Sequence, residues 1–345
     1  MNTITKAYSP EAVKEAGGIL KAGGLVAFPT ETVYGLGADA LDEAAAAKIY
    51  AAKGRPSDNP LIVHIADIES LYEIVTEVPD KAKKLADAMW PGPLTMIFHK
   101  KDIVPYGTTG GLDSVAVRMP DNKAALDIIR AGGGFIAAPS ANTSGRPSPT
   151  SAAHVAEDLA GTIDMIVDDG EVEIGIESTI VDFTEEIPMI LRPGRISLRE
   201  ISAVIGEVRM DPGILSKPAE GTRPKAPGMR YRHYAPKAEL VIVAGDNDKV
   251  VGYINDKVAT LRGEGKKSAV LSTDENKEAY RSDIVRTVGK RSDYREVARN
   301  LYKVLREFDE DGADMIYSEC FEEDEAGYAI MNRLLKAAGY KIIRL

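Results

Sequence analysis

Residues 48–65, KIYAAKGRPSDNPLIVHI, join the end of a predicted helix to a short apolar strand through a polar turn. Lys53 and Arg55 lie one residue apart where the helix ends, and His64 lies within the apolar strand. Two cations at a turn, next to a polar residue on a strand, suit a polyanionic ligand such as a nucleoside triphosphate. The same run also fits a surface loop with ordinary solvated charges.

Helical and strand patterns alternate on both sides of this run. Pro10–Ala22 is predicted to be an amphipathic helix capped by Ser9, and Leu25–Pro29 a buried strand. Asp42–Lys53 is a second predicted helix, and Leu61–Ile65 the strand after it. The predicted elements that follow are the helices Asp80–Met89, Lys123–Ala131 and Ser151–Leu159 and the strands Leu94–His99, Val115–Arg118, Phe135–Ala138, Met165–Asp168, Thr179–Asp182 and Met189–Arg192. This alternation predicts an α/β fold with a mixed, twisted sheet.

A chain of 345 residues is long enough for two domains. Residues 1–206 are predicted to form the first, and residues 207–237 a Pro/Gly-rich, extended linker. Residues 238–345 regain strand and helix patterns and predict a smaller βαβ-type domain of about 100 residues. Its predicted strands are residues 239–245, 268–273, 313–319 and 340–345, and its helices are Asp248–Arg262, Tyr294–Phe308 and Ala326–Ala338.

Net charge and amino-acid composition exclude several classes of function. A net charge of −10 argues against broad, non-specific nucleic-acid binding, although a local basic cleft stays compatible with it. Cys320 is the only cysteine, which excludes a disulfide framework and a thiolate metal cluster, and the four histidines are not spaced as metal ligands. The N-terminus has no apolar targeting segment, and no run has a membrane-spanning length, so we expect a cytoplasmic protein.

Two glycine-rich runs match nucleotide-binding patterns only in part. GLGADA, residues 35–40, fits G-x-G-x-x-A but has no acidic residue at the end of a second strand about 20 residues on. We interpret it as a tight turn between strands, which sets a dehydrogenase aside. GEGKKS, residues 263–268, lacks the first glycine of a phosphate-binding loop and is predicted to be a turn before the strand at Ala269.

Six further polar clusters lie in or beside apolar runs. They are PTETVYGLG (29–37), VAVRMP (115–120), PSANTSGRPSPT (139–150), GIEST (175–179), RPG (192–194) and HYAP (233–236). The first places the hydroxyls of Thr30, Thr32 and Tyr34 just after a buried strand, where open α/β sheets bind ligands. Arg118, within VAVRMP, is costly to bury unpaired, so it serves either a ligand or an internal ion pair.

The remaining clusters supply hydroxyls, an amide and more cations. The loop with Ser140, Asn142 and Ser144 suits phosphate or adenine contacts, and it equally suits the cap and turn before the next helix. Arg192 and Arg195 add positive charge beside another strand. No base–nucleophile pair emerges from the sequence. Catalysis would therefore depend on positioning and charge stabilisation, as in phosphoryl and nucleotidyl transfer.

The order of the motifs resembles the YrdC-like family. The resemblance is carried by PTETVYGLG, K-x-R followed by S-x-N-P-L, WPGPLT, the PSAN loop, GIEST and RPG. HYAP and the C-terminal domain are similar to the two-domain branch of that family, the threonylcarbamoyl-AMP synthases. The resemblance implies a twisted, mixed, open sheet flanked by helices, followed by a smaller Rossmann-like domain.

The family's reaction is implied with it. L-threonine, bicarbonate or CO2, and ATP would give threonylcarbamoyl-AMP and pyrophosphate. A partner transferase would then pass the threonylcarbamoyl group to adenosine 37 of tRNAs that read ANN codons. Mg²⁺ would be carried by the ATP phosphates, with no metal ligand from side chains.

The resemblance also implies the site residues. The residues expected to bind L-threonine are Thr32, His64, Arg118, Ser178 and the backbone near Ala138. Those expected to bind ATP are Arg55, Asn59, Ser114, Ser140, Ser148, Arg192 and Tyr234, with Lys53 and Arg55 as catalytic cations. Tyr234 would fold back onto the nucleotide, so that the linker acts as a lid that excludes water.

Two other functions fit part of the sequence. A basic cleft could bind double-stranded RNA or tRNA without catalysing a reaction, and weak RNA binding could also accompany the synthase activity. Hydrogenase maturation factors carry a YrdC-like module that uses carbamoyl phosphate. Those chains also carry acylphosphatase and zinc-finger regions, and a chain with one cysteine has neither.

Overall fold

The computed structural model describes residues 2–216, 224–227, 233–321 and 327–345. These residues divide into two compact units. The first contains residues 2–144, 148–214 and 224–227, and the second contains residues 145–147, 215–216, 233–321 and 327–345. Parts of the predicted linker, 217–223 and 228–232, lie outside the described residues, and the linker's proposed bounds stay a prediction.

Strands and helices alternate through the first unit, as predicted. Its strands are β1 (Ile4–Ala7), β2 (Val26–Phe28), β3 (Gly35–Asp39), β4 (Ile62–His64), β5 (Leu94–His99), β6 (Ser114–Arg118), β7 (Ile136–Ala137), β8 (Met165–Asp168), β9 (Thr179–Asp182), β10 (Met189–Arg192) and β11 (Arg209–Met210). Its helices are α1 (Pro10–Lys21), α2 (Glu43–Lys53), α3 (Glu69–Ile74), α4 (Asp80–Met89), α5 (Tyr106–Thr109), α6 (Lys123–Ala131), α7 (Ala152–Leu159) and α8 (Leu198–Ile205). Among the described residues the strands form one eleven-stranded sheet in the order β1-β8-β2-β3-β7-β4-β6-β5-β9-β10-β11.

The sheet is mixed, which confirms the predicted α/β class. Strand β4 runs parallel to β6, whereas β5 runs antiparallel to β6. The register places Arg118 between His64 on one neighbouring strand and Thr95 on the other. Because cross-strand partners project from the same face of a sheet, these three side chains form one row. That row lies in the middle of the sheet and positions the candidate site.

Helix α2 ends where its sequence predicts, and that end positions two cations. The side chain of Asp42 caps its start by accepting a hydrogen bond from the backbone N–H of Ala44. Gly54 then adopts the left-handed conformation, with φ of 60°, which a glycine tolerates without strain. Lys53 is therefore the last helical residue, and Arg55 begins the turn that follows.

The interpretation of GLGADA as a tight turn is wrong. Residues Gly35–Asp39 form β3, which pairs antiparallel with β2, so that Gly37 lies opposite Val26. A Cβ atom on Gly37 would lie 2.6 Å from a ring carbon of Phe28. The glycine is thus required by packing within the sheet and has no connection to a dinucleotide.

The second unit has the predicted Rossmann-like βαβ character. Its elements are β12 (Glu239–Ala244), α9 (Asn247–Gly263), β13 (Ser268–Ser272), a 3₁₀ helix (Asp274–Ala279), β14 (Ile284–Thr287), α10 (Tyr294–Glu310), β15 (Met315–Glu319), α11 (Gly327–Ala337) and β16 (Ile342–Arg344). Its strands pair parallel in the order β14-β13-β15-β12-β16 among the residues described. Ala326, the first residue of a predicted helix, lies outside the described residues.

His64 is buried in the centre of the first unit, where a charged imidazole is disfavoured. Burial, and after it the neighbouring Arg118 guanidinium, lowers the pKa of His64 from 6.5 to about 3. Hydrogen bonds to the carbonyl oxygens of Ile62 and Ile136 oppose this shift and do not overcome it. The folded protein therefore holds His64 as a neutral ring at physiological pH.

This neutral histidine predicts a pH dependence of stability. Below pH 6.5 the unfolded chain gains a proton on His64 that the folded chain does not bind until about pH 3. Stability from this group is therefore complete above pH 6.5 and is lost as the pH falls, by at most about 1.4 kcal/mol per pH unit. We expect His64→Asn to make the free energy of unfolding depend less steeply on pH within that window.

Urea unfolding at a series of pH values, followed by fluorescence of Trp90, measures this slope, since Trp90 is the one tryptophan of the sequence. Val117→Ala, a buried non-titrating change on β6, is the matched control. It should lower stability and keep the wild-type slope. An unaltered slope in His64→Asn would contradict the prediction.

Candidate active site

Arg118, the last residue of β6, is the centre of the first half of the site. The side chain is buried, with 4% of the residue exposed. Its Nη1 donates a hydrogen bond to Thr32 Oγ1 at 2.9 Å, and its Nε donates to the carbonyl oxygen of Gly92 at 3.4 Å. Its Nη2 lies 2.6 Å from Glu31 Oε2. The surroundings of Arg118 are thus compatible with both roles considered for it. It has an ion-pair partner in Glu31, and it donates to Thr32, a predicted substrate-binding residue.

Glu31 was not among the predicted site residues. It is 6% exposed and lies between two threonines whose hydroxyl oxygens, Thr30 Oγ1 and Thr32 Oγ1, are 2.8 Å apart. The backbone of this turn is held by N–H donors from Ile174 and Gly175 to the carbonyl oxygens of Glu31 and Thr32. The signal for Glu31 was present in the TET run, because an acid between two buried hydroxyls next to a strand is itself costly to bury.

Ser178 contacts Thr95 and a second arginine, Arg192. Its Oγ lies 2.8 Å from Thr95 Oγ1, and Thr95 is the cross-strand partner of Arg118. The same Oγ accepts a hydrogen bond from Arg192 Nη2 at 3.1 Å, and the Ser178 carbonyl accepts one from Arg192 Nε at 3.1 Å. Thr95 was not predicted from the sequence as a site residue. The hydroxyl of Ser178 therefore contacts Arg192 and the hydroxyl of Thr95, whose backbone lies opposite Arg118 in the sheet.

The structure brings the five predicted threonine-binding residues into one region. Arg118 contacts Thr32 directly and lies beside His64 in the sheet. The backbone N–H of Ala138 donates to the carbonyl oxygen of Ile62, two residues before His64 on β4. Ser178 joins the group through Thr95, as described above. The side chains of Thr32, His64, Arg118 and Ser178 are all buried, and His64 among them is a neutral imidazole.

Lys53 fixes the loop that follows β7. Its Nζ donates to the carbonyl oxygens of Ser140 and Asn142, and its own carbonyl accepts the N–H of Ser144 at 2.8 Å. Within the loop, Ser140 Oγ donates to Asn142 Oδ1 at 2.6 Å. Lys53 is only 2% exposed, so its charge lies inside the protein and against the loop. The predicted Lys53 and Ser140 are thus brought together.

Arg55 and Asn59 form a second cluster in the turn after α2. Arg55 Nε donates to the Asn59 carbonyl at 3.2 Å, and Nη2 donates to the Pro60 carbonyl at 3.0 Å. Asn59 is 2% exposed, and its Oδ1 accepts no hydrogen bond from the described part of the chain. This turn therefore holds a fixed guanidinium beside a buried amide oxygen that is open to a donor.

Ser148 and Arg192 complete the second half of the site. Ser148 Oγ donates to Glu177 Oε1 at 2.6 Å, and Glu177 directly precedes Ser178. Arg192 Nη1 donates to the carbonyl oxygen of Pro227 at 3.4 Å. A described residue of the predicted linker thus contacts a predicted nucleotide-binding arginine within the first unit.

Two predicted nucleotide-binding residues remain, Ser114 in the first unit and Tyr234 in the second. Ser114 is the first residue of β6 and pairs with His99, whereas Arg118 is the last. The two are separated by about 13 Å along the strand, at about 3.3 Å per residue. Tyr234 belongs to the second unit, has a positive φ of 64°, and stacks on Tyr302 with ring centroids 5.1 Å apart. Their roles in nucleotide binding stay predictions.

The described residues also bear on metal binding and on membrane insertion. They contain no group of three or more His, Cys, Asp or Glu side chains arranged to hold a metal ion. None of the helices in the described ranges has the length and apolar character needed to cross a membrane.

Two family models match the chain. One, described as "Telomere recombination" and covering the Sua5, YciO and YrdC proteins, matches residues 18–194. The other, described as "Threonylcarbamoyl-AMP synthase, C-terminal domain", matches residues 196–339. The two matches follow one another along the chain, as the resemblance in the sequence implied.

Curated relatives match nearly the whole chain. The threonylcarbamoyl-AMP synthase of Pyrococcus abyssi is 51% identical over 333 residues, which cover 96% of each chain. That of Bacillus subtilis is 48% identical over 333 residues, covering 96% of this chain and 94% of the relative.

A solved structure shares the fold. The structure of P. abyssi Sua5 in complex with L-threonine superposes with a TM-score of 0.92 at 50% identity. The superposition covers 100% of this chain and 99% of the other. With both family models matched and the fold shared over its full length, the chain belongs to the YrdC-like family, in its two-domain branch of threonylcarbamoyl-AMP synthases.

Proposed function

We propose that the chain synthesises threonylcarbamoyl-AMP from L-threonine, bicarbonate or CO2, and ATP, with release of pyrophosphate. Membership in the family makes it an enzyme of the nucleotidyl-transferring kind, as the sequence predicted. The observation that carries the proposal is the position of Ser178. Its hydroxyl contacts both Thr95, the cross-strand partner of Arg118, and Arg192, so the proposed amino-acid half and the proposed nucleotide half would adjoin at this residue.

The chemistry joins two steps. The threonine ammonium group and bicarbonate form the C–N bond of N-carboxythreonine with loss of water and one proton, or, with CO2, with loss of two protons. An oxygen of the new carboxylate then attacks the α-phosphorus of ATP, and the bond from that phosphorus to the β-phosphate oxygen breaks, so that pyrophosphate leaves. The chain has to hold two anionic reactants close together and stabilise the charge that grows on the phosphate oxygens. Buried, fixed cations suit this task because they need no reorganisation during the reaction.

The first half of the site would bind threonine. Arg118 presents Nη2 with no hydrogen-bond partner in the described residues, and a guanidinium binds a carboxylate with two parallel bonds. Thr32, Ser178 and the backbone at Ala138 surround it with hydrogen-bonding groups. His64 is neutral, so it adds no repulsion toward the substrate's ammonium group.

The second half would bind ATP. The proposed ligands are Arg55, Asn59, Ser140, Ser148 and Arg192, together with Ser114 and Tyr234. Of these, the open Oδ1 of Asn59 can accept from an amino or hydroxyl group of the nucleotide. Lys53 and Arg55 are the proposed catalytic cations. Because Lys53 Nζ is bonded to loop carbonyls, its contribution includes fixing the loop that carries Ser140.

Magnesium would arrive with the nucleotide. The described residues form no cluster of metal ligands, and Mg²⁺ commonly binds through substrate phosphates and a few waters. When bound, it would neutralise phosphate charge.

The product has a proposed onward path. A partner transferase would take the threonylcarbamoyl group to adenosine 37 of ANN-decoding tRNAs, and the enzyme would act in the cytoplasm. The product is labile in water, so a lid over the site would protect it. The described linker residues support a lid that begins near Arg192, because Ala226 is fully buried and Lys225 Nζ lies 3.2 Å from Asp182 Oδ2 in the first unit.

Pyrophosphate release tests the reaction directly. We expect release from MgATP only when threonine and bicarbonate are both present, and weaker release with serine, whose missing methyl group removes about 1–3 kcal/mol of binding. Release without threonine would indicate another acceptor. No release, together with salt-dependent RNA binding, would favour the binding-module function instead.

Removal of Arg118 should weaken threonine binding selectively. We expect Arg118→Ala to raise the threonine KM at least tenfold, because truncation of one partner of a buried charge pair costs about 2–5 kcal/mol. The ATP KM should change much less. Steady-state pyrophosphate release measures both constants.

The matched control for that change is Arg209→Ala, since Arg209 is exposed and lies at the edge strand β11. It should leave both constants near wild type. A threonine KM within twofold of wild type in Arg118→Ala would show that Arg118 does not bind the substrate.

The proposed lid predicts the behaviour of a shortened chain. A protein ending at Gly206 lacks the residues that contact Arg192 and Asp182, and we expect it to release little or no pyrophosphate under the full-substrate condition. Circular dichroism serves as the control for folding. A folded fragment with full activity would show that the linker is not a lid.

A further inference from the structure

Glu31 and Arg118 form a buried pair with open hydrogen-bonding capacity on both partners. Their closest atoms, Oε2 and Nη2, are 2.6 Å apart, which meets the distance of an ion pair. Yet neither carboxylate oxygen of Glu31 has a hydrogen-bond partner in the described residues, and neither does Nη2 of Arg118. The two atoms are therefore close enough for an ion pair, but the N–H group is not aligned with the oxygen as a hydrogen bond requires. Such a pair leaves acceptor and donor sites unsatisfied side by side in the interior of the first unit.

From this pair we infer that Glu31 binds the α-ammonium group of L-threonine while Arg118 binds the α-carboxylate. The inference rests on the proposed function and extends it to a residue outside the predicted threonine set. An α-amino acid carries its opposite charges on adjacent carbons, so they lie close together. A carboxylate and a guanidinium in contact offer the complementary charges at a matching spacing.

The burial of Glu31 supports this role. Side chains of ionised acids are rarely buried without full pairing, because desolvation of the carboxylate is expensive. Glu31 is 6% exposed, and its turn is held by backbone bonds from Ile174 and Gly175. The backbone that carries this carboxylate is thus fixed by the fold, and neither carboxylate oxygen has a hydrogen-bond partner among the described residues. An ammonium group supplies three donors and a positive charge, which are the missing partners.

A purely structural role would be the neutralisation of Arg118. The two roles make opposite predictions for a change that removes only the negative charge. If Glu31 merely neutralises Arg118, its removal frees the guanidinium and strengthens binding of any carboxylate ligand. If Glu31 holds the ammonium, its removal weakens threonine and spares a ligand that has no amino group.

The matching ligand without the amino group is (R)-3-hydroxybutanoate, which keeps the carboxylate, the hydroxyl and the methyl group of threonine. The test is titration calorimetry of both ligands with the full chain, without ATP, in wild type and in Glu31→Gln. We expect wild type to prefer threonine clearly. In Glu31→Gln, threonine should bind about 10- to 100-fold more weakly, whereas hydroxybutanoate should bind as in wild type or more tightly.

Glu173→Gln is the matched control, since Glu173 is exposed and directly precedes the residue that bonds the Glu31 backbone. It should bind both ligands as wild type does. Undiminished threonine binding in Glu31→Gln would overturn the role of Glu31 and leave the synthase function intact. No threonine binding in wild type would overturn both.

Glu31→Asp keeps the inference testable where Glu31→Gln does not fold. Aspartate retains the charge on a shorter side chain, so we expect weaker threonine binding with a preference over hydroxybutanoate that is reduced and still present. Equal affinity of the wild-type protein for the two ligands would overturn the inference without any variant.

Discussion

The burial of the Arg118 guanidinium in the middle of an eleven-stranded sheet is the constraint on which the site depends. An unpaired charge at such a place costs several kcal/mol, so the fold has to bring partners to it. Thr32 lies 86 residues away in sequence and Gly92 lies 26 residues away, and both accept hydrogen bonds from Arg118. The turn that carries Thr32 is itself held by Gly175. Assembly of the proposed amino-acid half of the site is therefore part of folding.

The nucleotide half follows the same rule with different partners. Lys53 and Arg55 both donate to backbone carbonyl oxygens, which lie in the loop after β7 and in the turn after α2. A carbonyl fixes the direction of a cation without cancelling its formal charge. Both cations are consequently held in place by the fold, and this suits the proposed binding of ATP because fixed charges lower the reorganisation needed for charge stabilisation.

Periodic and capped segments could be predicted from the sequence, and short exposed ones could not. Met165–Asp168 and Thr179–Asp182 have the predicted bounds because each is a compact apolar run. By contrast, β1 was not predicted: all four of its residues are exposed at the edge of the sheet, so no alternation marks them. GLGADA was predicted as a turn because glycine usually signals one. Its role in packing against Phe28 depends on a contact between strands.

The residues of the candidate site could be predicted from the sequence only in part, for a related reason. Thr32, Arg118 and Ser178 stand out because polar residues interrupt apolar runs, and family resemblance assigned their roles. Thr95 did not stand out, since a threonine is an ordinary strand residue. Its proximity to Arg118 and to Ser178 follows from the register of β5 with both neighbours, which one sequence does not reveal.

Charge balance separates the two halves of the site. Glu31 and Arg118 form an ion pair, and burial keeps His64 neutral, so these three residues give the proposed threonine half no net charge. A zwitterion also has no net charge and can enter such a pocket without leaving an excess of either sign buried. The unfavourable free energy of desolvating the carboxylate and the guanidinium arises when the protein folds, and packing around the sheet offsets it there. It does not arise again when the substrate binds. The unsatisfied hydrogen-bonding atoms of Glu31 and Arg118 then favour a ligand that has both an ammonium group and a carboxylate. A ligand with a carboxylate alone would leave Glu31 buried beside a second negative charge.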